Sequence, residues 1–213
     1  MTLPLIAILR GVTPERILSV ADILLSEGFH MLEVPLNSPD ALNSIQMLAD
    51  KYLQEPNQAE PSEQLLLLGA GTVATHKQAE AVVDSGANLV VSPNFNSQVI
   101  NIAKQAQAYM CCGVFTPTEA FNAIEAGADC LKLFPANVLK PGGLKALRSV
   151  LPAQTQCFPV GGIEATEQSM MPFYEAGANG FGVGSALFHP SMSDDDIRRK
   201  ARDFASVWRG LSN

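Results

Sequence analysis

Metal chemistry has little to work with in this sequence. The three histidines, His30, His76 and His189, stand far apart, and neither a His-x-x-x-His nor a Cys-x-x-Cys spacing occurs. No metal site is therefore expected, and a zinc-dependent mechanism gains no support. His189, followed by Pro190, is expected to end the last strand rather than to bind anything. Basic charge is also short: 14 Lys and Arg against 21 Asp and Glu leave a net charge of −7. That balance argues against nucleic acid as a partner, because gripping a phosphate backbone needs a basic footprint. Any anionic ligand must be held locally, by a few groups. No run of about 18 apolar residues appears. The chain passes almost at once into a strand-like segment at residues 3–9 with no charged n-region or cleavage site, so neither membrane association nor secretion is expected and it reads as cytoplasmic. The four cysteines, Cys111, Cys112, Cys130 and Cys157, all fall in strand-like segments of a sizeable chain. They are expected to be reduced core thiols, not a disulfide framework.

Apolar residues, 47% of 213, are present in quantity, and they come in short runs. Runs at 3–9, 31–36, 65–69, 88–92, 109–113, 130–134, 157–161 and 180–184 make eight strand candidates. Helix signals lie between them. Thr13-Pro14-Glu15 and Thr116-Pro117-Thr118-Glu119 place an N-cap before a proline at the first helical position. Glu27-Gly28-Phe29, Ser85-Gly86-Ala87, Ala126-Gly127-Ala128 and Ala176-Gly177-Ala178 each put glycine where a helix should stop before the next strand. This degenerate β-α repeat predicts an α/β protein, a small (β/α)8 TIM barrel forming one domain over residues 1–213. The last helix is expected over 194–208. Residues 54–64, polar and holding Pro56 and Pro61, interrupt the rhythm and read as a surface loop on the face opposite the site.

In Cys130-Leu131-Lys132-Leu133-Phe134-Pro135, strand alternation turns Lys132 away from Leu131 and Leu133 and into the barrel. An ammonium removed from water is destabilised, and a neutral amine attacks ketones to form imines. The alternative is an interior ion pair with a carboxylate. By the same alternation Glu33 faces away from Leu32 and Val34, which puts a carboxylate in the same interior, either as that ion-pair partner or as a base that remains ionised at rest.

The remaining strand ends carry anion-binding chemistry. Gly161-Gly162 and Gly184-Ser185 follow the seventh and eighth strands, where barrels often bind phosphate through loop amides. Gly69-Ala70-Gly71-Thr72 offers amides and a hydroxyl to a carboxylate, with Thr72 as a helix N-cap being the alternative. Arg10, beside Gly11, is placed to take a carboxylate or phosphate bidentately.

Taken together, Glu33-Val34-Pro35-Leu36-Asn37-Ser38-Pro39, Gly69-Ala70-Gly71-Thr72, Lys132-Leu133-Phe134-Pro135 and Gly161-Gly162 resemble, in order and spacing, the class I aldolases of 2-keto-3-deoxy-6-phosphogluconate and 2-keto-3-deoxy-6-phosphogalactonate, over nearly the whole chain. The resemblance implies a Schiff base on Lys132, with Glu33 as general acid and base and Thr72 on the pyruvate carboxylate. It further implies a phosphate site of Gly161, Gly162, Gly184 and Ser185, pocket walls of Pro93 and Phe134, and substrate contact by Arg10. Asn37 and Val160 stand where gluconate-type members carry arginine and threonine, so the similarity is to the galactonate branch. The products would be pyruvate and glyceraldehyde 3-phosphate, no cofactor would be needed, and the assembly would be a homotrimer. Cys112, where the family commonly has proline, would leave a thiol near the mouth that is open to oxidation. Two other readings stay open: a phosphosugar epimerase or isomerase without an imine, and a non-catalytic phosphosugar-binding protein.

Overall fold

Among the described residues, the eight apolar runs become eight parallel strands alternating with eight helices. The computed structural model describes residues 3–53 and 65–211, so the proposed loop at 54–64 lies outside the described residues. In chain order the elements are β1 (Leu3–Ile8), α1 (Pro14–Ser26), β2 (Phe29–Pro35), α2 (Ala41–Tyr52), β3 (Leu67–Gly71), α3 (His76–Asp84), β4 (Leu89–Val91) and α4 (Ser97–Gln105). They continue with β5 (Tyr109–Val114), α5 (Pro117–Glu125), β6 (Cys130–Leu133), α6 (Ala136–Arg148), β7 (Gln156–Pro159), α7 (Glu167–Glu175), β8 (Phe181–Val183) and α8 (Asp194–Leu211). The strands pair in the order β7-β6-β5-β4-β3-β2-β1-β8. A parallel bridge from Val160 to Gly182 joins the two ends, giving a (β/α)8 barrel.

Pro14 and Pro117 both open their helices as the sequence suggests, but Thr13 precedes Pro14 without a side-chain cap bond. Thr116 caps α5 through a reciprocal bond set with Glu119, and Pro117 opens the helix. Gly28, Gly86, Gly127 and Gly177 all have positive φ, which an L side chain adopts only with strain, so each helix stops where its glycine stands. Outward-facing strand residues such as Leu32, Val34, Leu131 and Leu133 merge with the helices into one large core. Inward-facing residues form a separate plug: Ile6, Met31, Leu67, Leu89, Val91, Cys111, Cys130 and Phe158.

Several expectations need correcting. β3 runs over Leu67–Gly71, displaced from 65–69, because two glycines of low strand propensity are required in it. A Cβ at Gly69 would lie 1.9 Å from the carbonyl oxygen of Leu89. α8 continues past Trp208 to Leu211. His189 does not end a strand; it lies beyond β8, with its Nδ1 2.8 Å from the Ser191 hydroxyl. Cys111 and Cys130, facing each other in the β5–β6 register with Cα atoms 4.7 Å apart, are joined as a disulfide. Cys112 and Cys157 are free and buried. The densest basic stretch, Arg198, Arg199, Lys200 and Arg202 on α8, is no open basic face, since Arg198 and Arg202 pair with Glu27 and Arg199 with Asp196. Among the described residues, no helix is long and apolar enough to cross a membrane.

Candidate active site

Moving up the inward face from the apolar plug toward the C-terminal ends of the strands, the side chains change character. Met31 gives way to Glu33, Cys130 to Lys132 and Cys111 to Gly113. Glu33 is 1% exposed and Lys132 6%. Both line a cavity of about 290 Å³ together with Ile8, Arg10, Thr72, Pro93 and Phe134. Its far wall is Val160, Gly161, Gly162, Ile163, Glu164, Gly182, Gly184 and Ser185. Lys132, Glu33, Arg10, Thr72, Pro93, Phe134, Val160, Gly161, Gly162, Gly184 and Ser185 thus line one cavity at the face where barrels place their chemistry, while Asn37 and Gly69-Ala70-Gly71 lie outside its lining.

The room for these groups comes from missing side chains. A Cβ on Gly71 would sit 2.6 Å from the Glu33 carboxyl carbon, so only glycine lets that carboxylate stand where it does. Gly113 is the register neighbour of Lys132, and a Cβ there would run 2.2 Å from the Pro93 backbone. The Lys132 ammonium lies 5.4 Å from the centre of the Phe134 ring, within cation–π range.

The interior ion pair weighed from the sequence does not form: among the described residues, the ion pairs that do form leave out both Lys132 and Glu33. Oε2 of Glu33 is buried without a hydrogen-bond partner. Burial pushes the Glu33 carboxyl above the ordinary carboxylate range, while the charges of Lys132 and then Arg10 pull it back. Where the sequence suggested a carboxylate ionised at rest, the fold thus holds one whose burial favours the protonated form.

Thr72 sits at φ 62, an unusual conformation for a β-branched residue and one that tends to persist where a site demands it. The N-cap alternative for Thr72 falls away, because Thr75 caps α3 with Gln78 completing the box. Gly161 and Gly162 adopt φ 104 and 74, a turn closed to most side chains that presents backbone to the cavity. After β8, the amides of Leu187 and Phe188 both bond the Gly184 carbonyl, so a single helical turn starts at the cavity wall beside Ser185. Arg10 reaches across the rim to Oδ1 of Asn37.

Two details depart from expectation. Cys112 is fully buried on the outer side of β5, its thiol is pushed up to about 11 by burial, and it points away from the mouth, so it is no oxidation-prone rim thiol. Ile8, Ile163, Glu164 and Gly182 line the cavity without having been selected from the sequence. Ile8 was accessible from the alternation of β1, whereas Glu164 enters only because the Gly-Gly turn swings the following residues inward.

Comparison with known proteins agrees with this geometry. The family model for KDPG and KHG aldolase matches residues 1–202. A probable 2-dehydro-3-deoxy-6-phosphogalactonate aldolase of Rhizobium meliloti (strain 1021) is 43% identical over 201 residues, 94% of this chain and 89% of its own length. The 2-dehydro-3-deoxy-6-phosphogalactonate aldolase of Escherichia coli (strain K12) is 39% identical over 207 residues, 97% of this chain and 95% of its own. The native KDPGal structure superposes with a TM-score of 0.91 at 37% identity, covering 100% of this chain and 97% of that one. With an inward lysine and carboxylate at the strand ends of its barrel, this chain belongs to the KDPG and KHG aldolase family.

Proposed function

We propose that the chain cleaves 2-dehydro-3-deoxy-6-phosphogalactonate to pyruvate and glyceraldehyde 3-phosphate through an imine on Lys132. The observation that carries the reading is one buried amine and one buried, unpaired carboxylate sharing a single cavity, in a chain alike along its length to galactonate aldolases. Lys132 attacks the C2 ketone as the free amine, the carbinolamine hydroxyl takes a proton from Glu33 and leaves as water, and an iminium forms. Glu33, directly or through a water, takes the C4 hydroxyl proton. The C3–C4 bond breaks, its electrons pass into the iminium to give an enamine, and the aldehyde departs. Protonation of the enamine at C3 by Glu33 and hydrolysis of the imine release pyruvate and restore the amine. In this reading Thr72 holds the pyruvate carboxylate. Gly161, Gly162, Gly184 and Ser185 hold the phosphate, while Pro93 and Phe134 wall the reacting carbons.

The galactonate assignment draws on Val160, which lines the cavity, and on Asn37 beside Arg10. It is tested by coupling pyruvate release to lactate dehydrogenase with each of the two C4-epimeric 6-phosphates. A higher kcat/KM for the galactonate epimer is expected. A preference for the gluconate epimer overturns the branch assignment, and no pyruvate from either returns the isomerase and the binding protein. The proposal includes a homotrimer: Phe115, Phe121 and Val138 remain exposed on the neighbouring fifth and sixth βα units, as a subunit interface requires. Light scattering should give about three times the 22.7 kDa chain mass. The proposal also includes a cytoplasmic location, since a phosphorylated sugar acid is too highly charged to cross a bilayer unaided.

A further inference from the structure

Two hydrogen bonds stitch the loop after β1 to the loop after β2 at the rim of the cavity. Arg10 Nη1 donates to Asn37 Oδ1 at 2.5 Å, and the Gly11 amide donates to Ser38 Oγ at 2.9 Å. Ser38 is buried. On its other side Gly11 packs against Pro190 so closely that a Cβ would fall 2.8 Å from the proline Cγ. The backbone carrying Arg10 is thus fixed from both flanks, and the freedom that remains belongs to the long Arg10 side chain. Arg10 and Asn37 are both exposed, where a flexible guanidinium would ordinarily sample many positions. Arg10 nevertheless lines the cavity that holds Glu33 and Lys132, and it also faces the adjoining recess bounded by Gly184, Ser185 and Phe188. Its charge is felt at the Glu33 carboxyl.

We propose that Asn37 is a positioning residue, holding the Arg10 guanidinium at the cavity mouth with its charge unneutralised for an anionic group of the phosphorylated keto-deoxy sugar acid. The inference rests on the aldolase reading above. The chemistry of the amide is what suits it to the task. One carbonyl oxygen occupies one of the five guanidinium N–H donors and adds no charge, so the others stay available for a bidentate grip. A carboxylate at the same position would make the same bond yet cancel the positive charge. A purely apolar side chain would leave the charge but release the arm. In a chain with a net charge of −7, an uncancelled cation at the rim is what draws an anion inward.

The experiment compares wild type, Asn37→Ala and Asn37→Asp by steady-state pyruvate release from the 6-phosphate substrate, with thermal midpoints and borohydride trapping by pyruvate on the same preparations. Asn37→Ala should raise KM about 5- to 20-fold with kcat changed less than about 3-fold, the split expected when a ground-state contact is loosened. Asn37→Asp should raise KM at least as much although it preserves the bond, and should shift the acid limb of the pH profile upward, because it cancels the Arg10 charge that pulls the Glu33 carboxyl down. An inter-loop brace alone would be rescued by aspartate. Wild-type KM in Asn37→Asp, or in Asn37→Ala, therefore overturns the role of Asn37 while wild-type trapping and turnover leave the aldolase reading standing. Failure of wild type itself to trap or release pyruvate overturns that reading, and this inference with it.

Discussion

Two layers of the same barrel interior, built by the same strands, do opposite things. In the lower layer Ile6, Met31, Leu67, Leu89, Val91, Cys111, Cys130 and Phe158 close the barrel with apolar volume. Further along the same inward face, β2 offers Glu33, β6 offers Lys132, and β3, β5 and β8 offer Gly71, Gly113 and Gly182. A cavity exists in the upper layer because glycines take the places of branched side chains, and two long polar side chains stand in the room they leave. The lower layer fixes strand positions, and the upper layer uses those positions for chemistry that costs stability. Loss of fold should follow disruption below, and loss of turnover should follow disruption above.

The largest effect is expected at Lys132. Lys132→Ala should lower pyruvate release by about 10³-fold or more and abolish borohydride trapping, since among the described residues no other lysine lines the cavity; normal turnover in this variant would sink the mechanism. Next comes Glu33→Gln, with kcat lower by about 10²- to 10⁴-fold and the acid limb of the pH–rate profile lost. Its stability should move the other way. The Glu33 carboxyl is raised in the fold, so the folded protein is penalised for ionising it. That penalty is absent below the ordinary carboxylate range and grows as pH rises toward the elevated value. Glu33→Gln should therefore melt above wild type at pH 8, with the difference vanishing in acid; thermal scans across pH check this, and an unchanged or lower midpoint at pH 8 contradicts it.

Two glycines of β3 sharpen the contrast within one strand. Gly71→Ala meets first the Glu33 carboxylate and should cut kcat about 10- to 100-fold by displacing it, with a folded circular-dichroism spectrum. Gly69→Ala meets the β4 backbone and should cost about 3 kcal/mol or more in denaturant unfolding. Equal activity losses with equal stability losses would erase the distinction between a glycine that makes room for the carboxylate and one that makes room for backbone. The smallest effect on chemistry is expected from Leu89→Ala in the plug, which should lose about 2–5 kcal/mol of stability while its folded fraction keeps near wild-type kcat/KM.

Much of this division is legible in the sequence because alternation reports direction. The inward aim of Lys132 and Glu33 followed from the outward leucines and valines beside them, and the helix stops followed from glycines in a repeated position. Demands set by another strand were hidden. The displacement of β3 onto Gly69 and Gly71 makes sense only once Leu89 and Glu33 are seen against those positions. The Cys111–Cys130 pairing depends on the β5–β6 register, which no local pattern fixes. Thr75 rather than Thr72 caps α3 because β3 runs further than its apolar residues suggest. The Arg10–Asn37 contact joins residues 27 apart across two loop ends and had no local signal.

The most direct test of the central claim is to incubate the protein with pyruvate, reduce with borohydride, and map the modified peptide by mass spectrometry. The account predicts a single reduced pyruvyl adduct on Lys132, absent from Lys132→Ala. An unlabelled Lys132 in an enzyme that still releases pyruvate from its 6-phosphate substrate would contradict it.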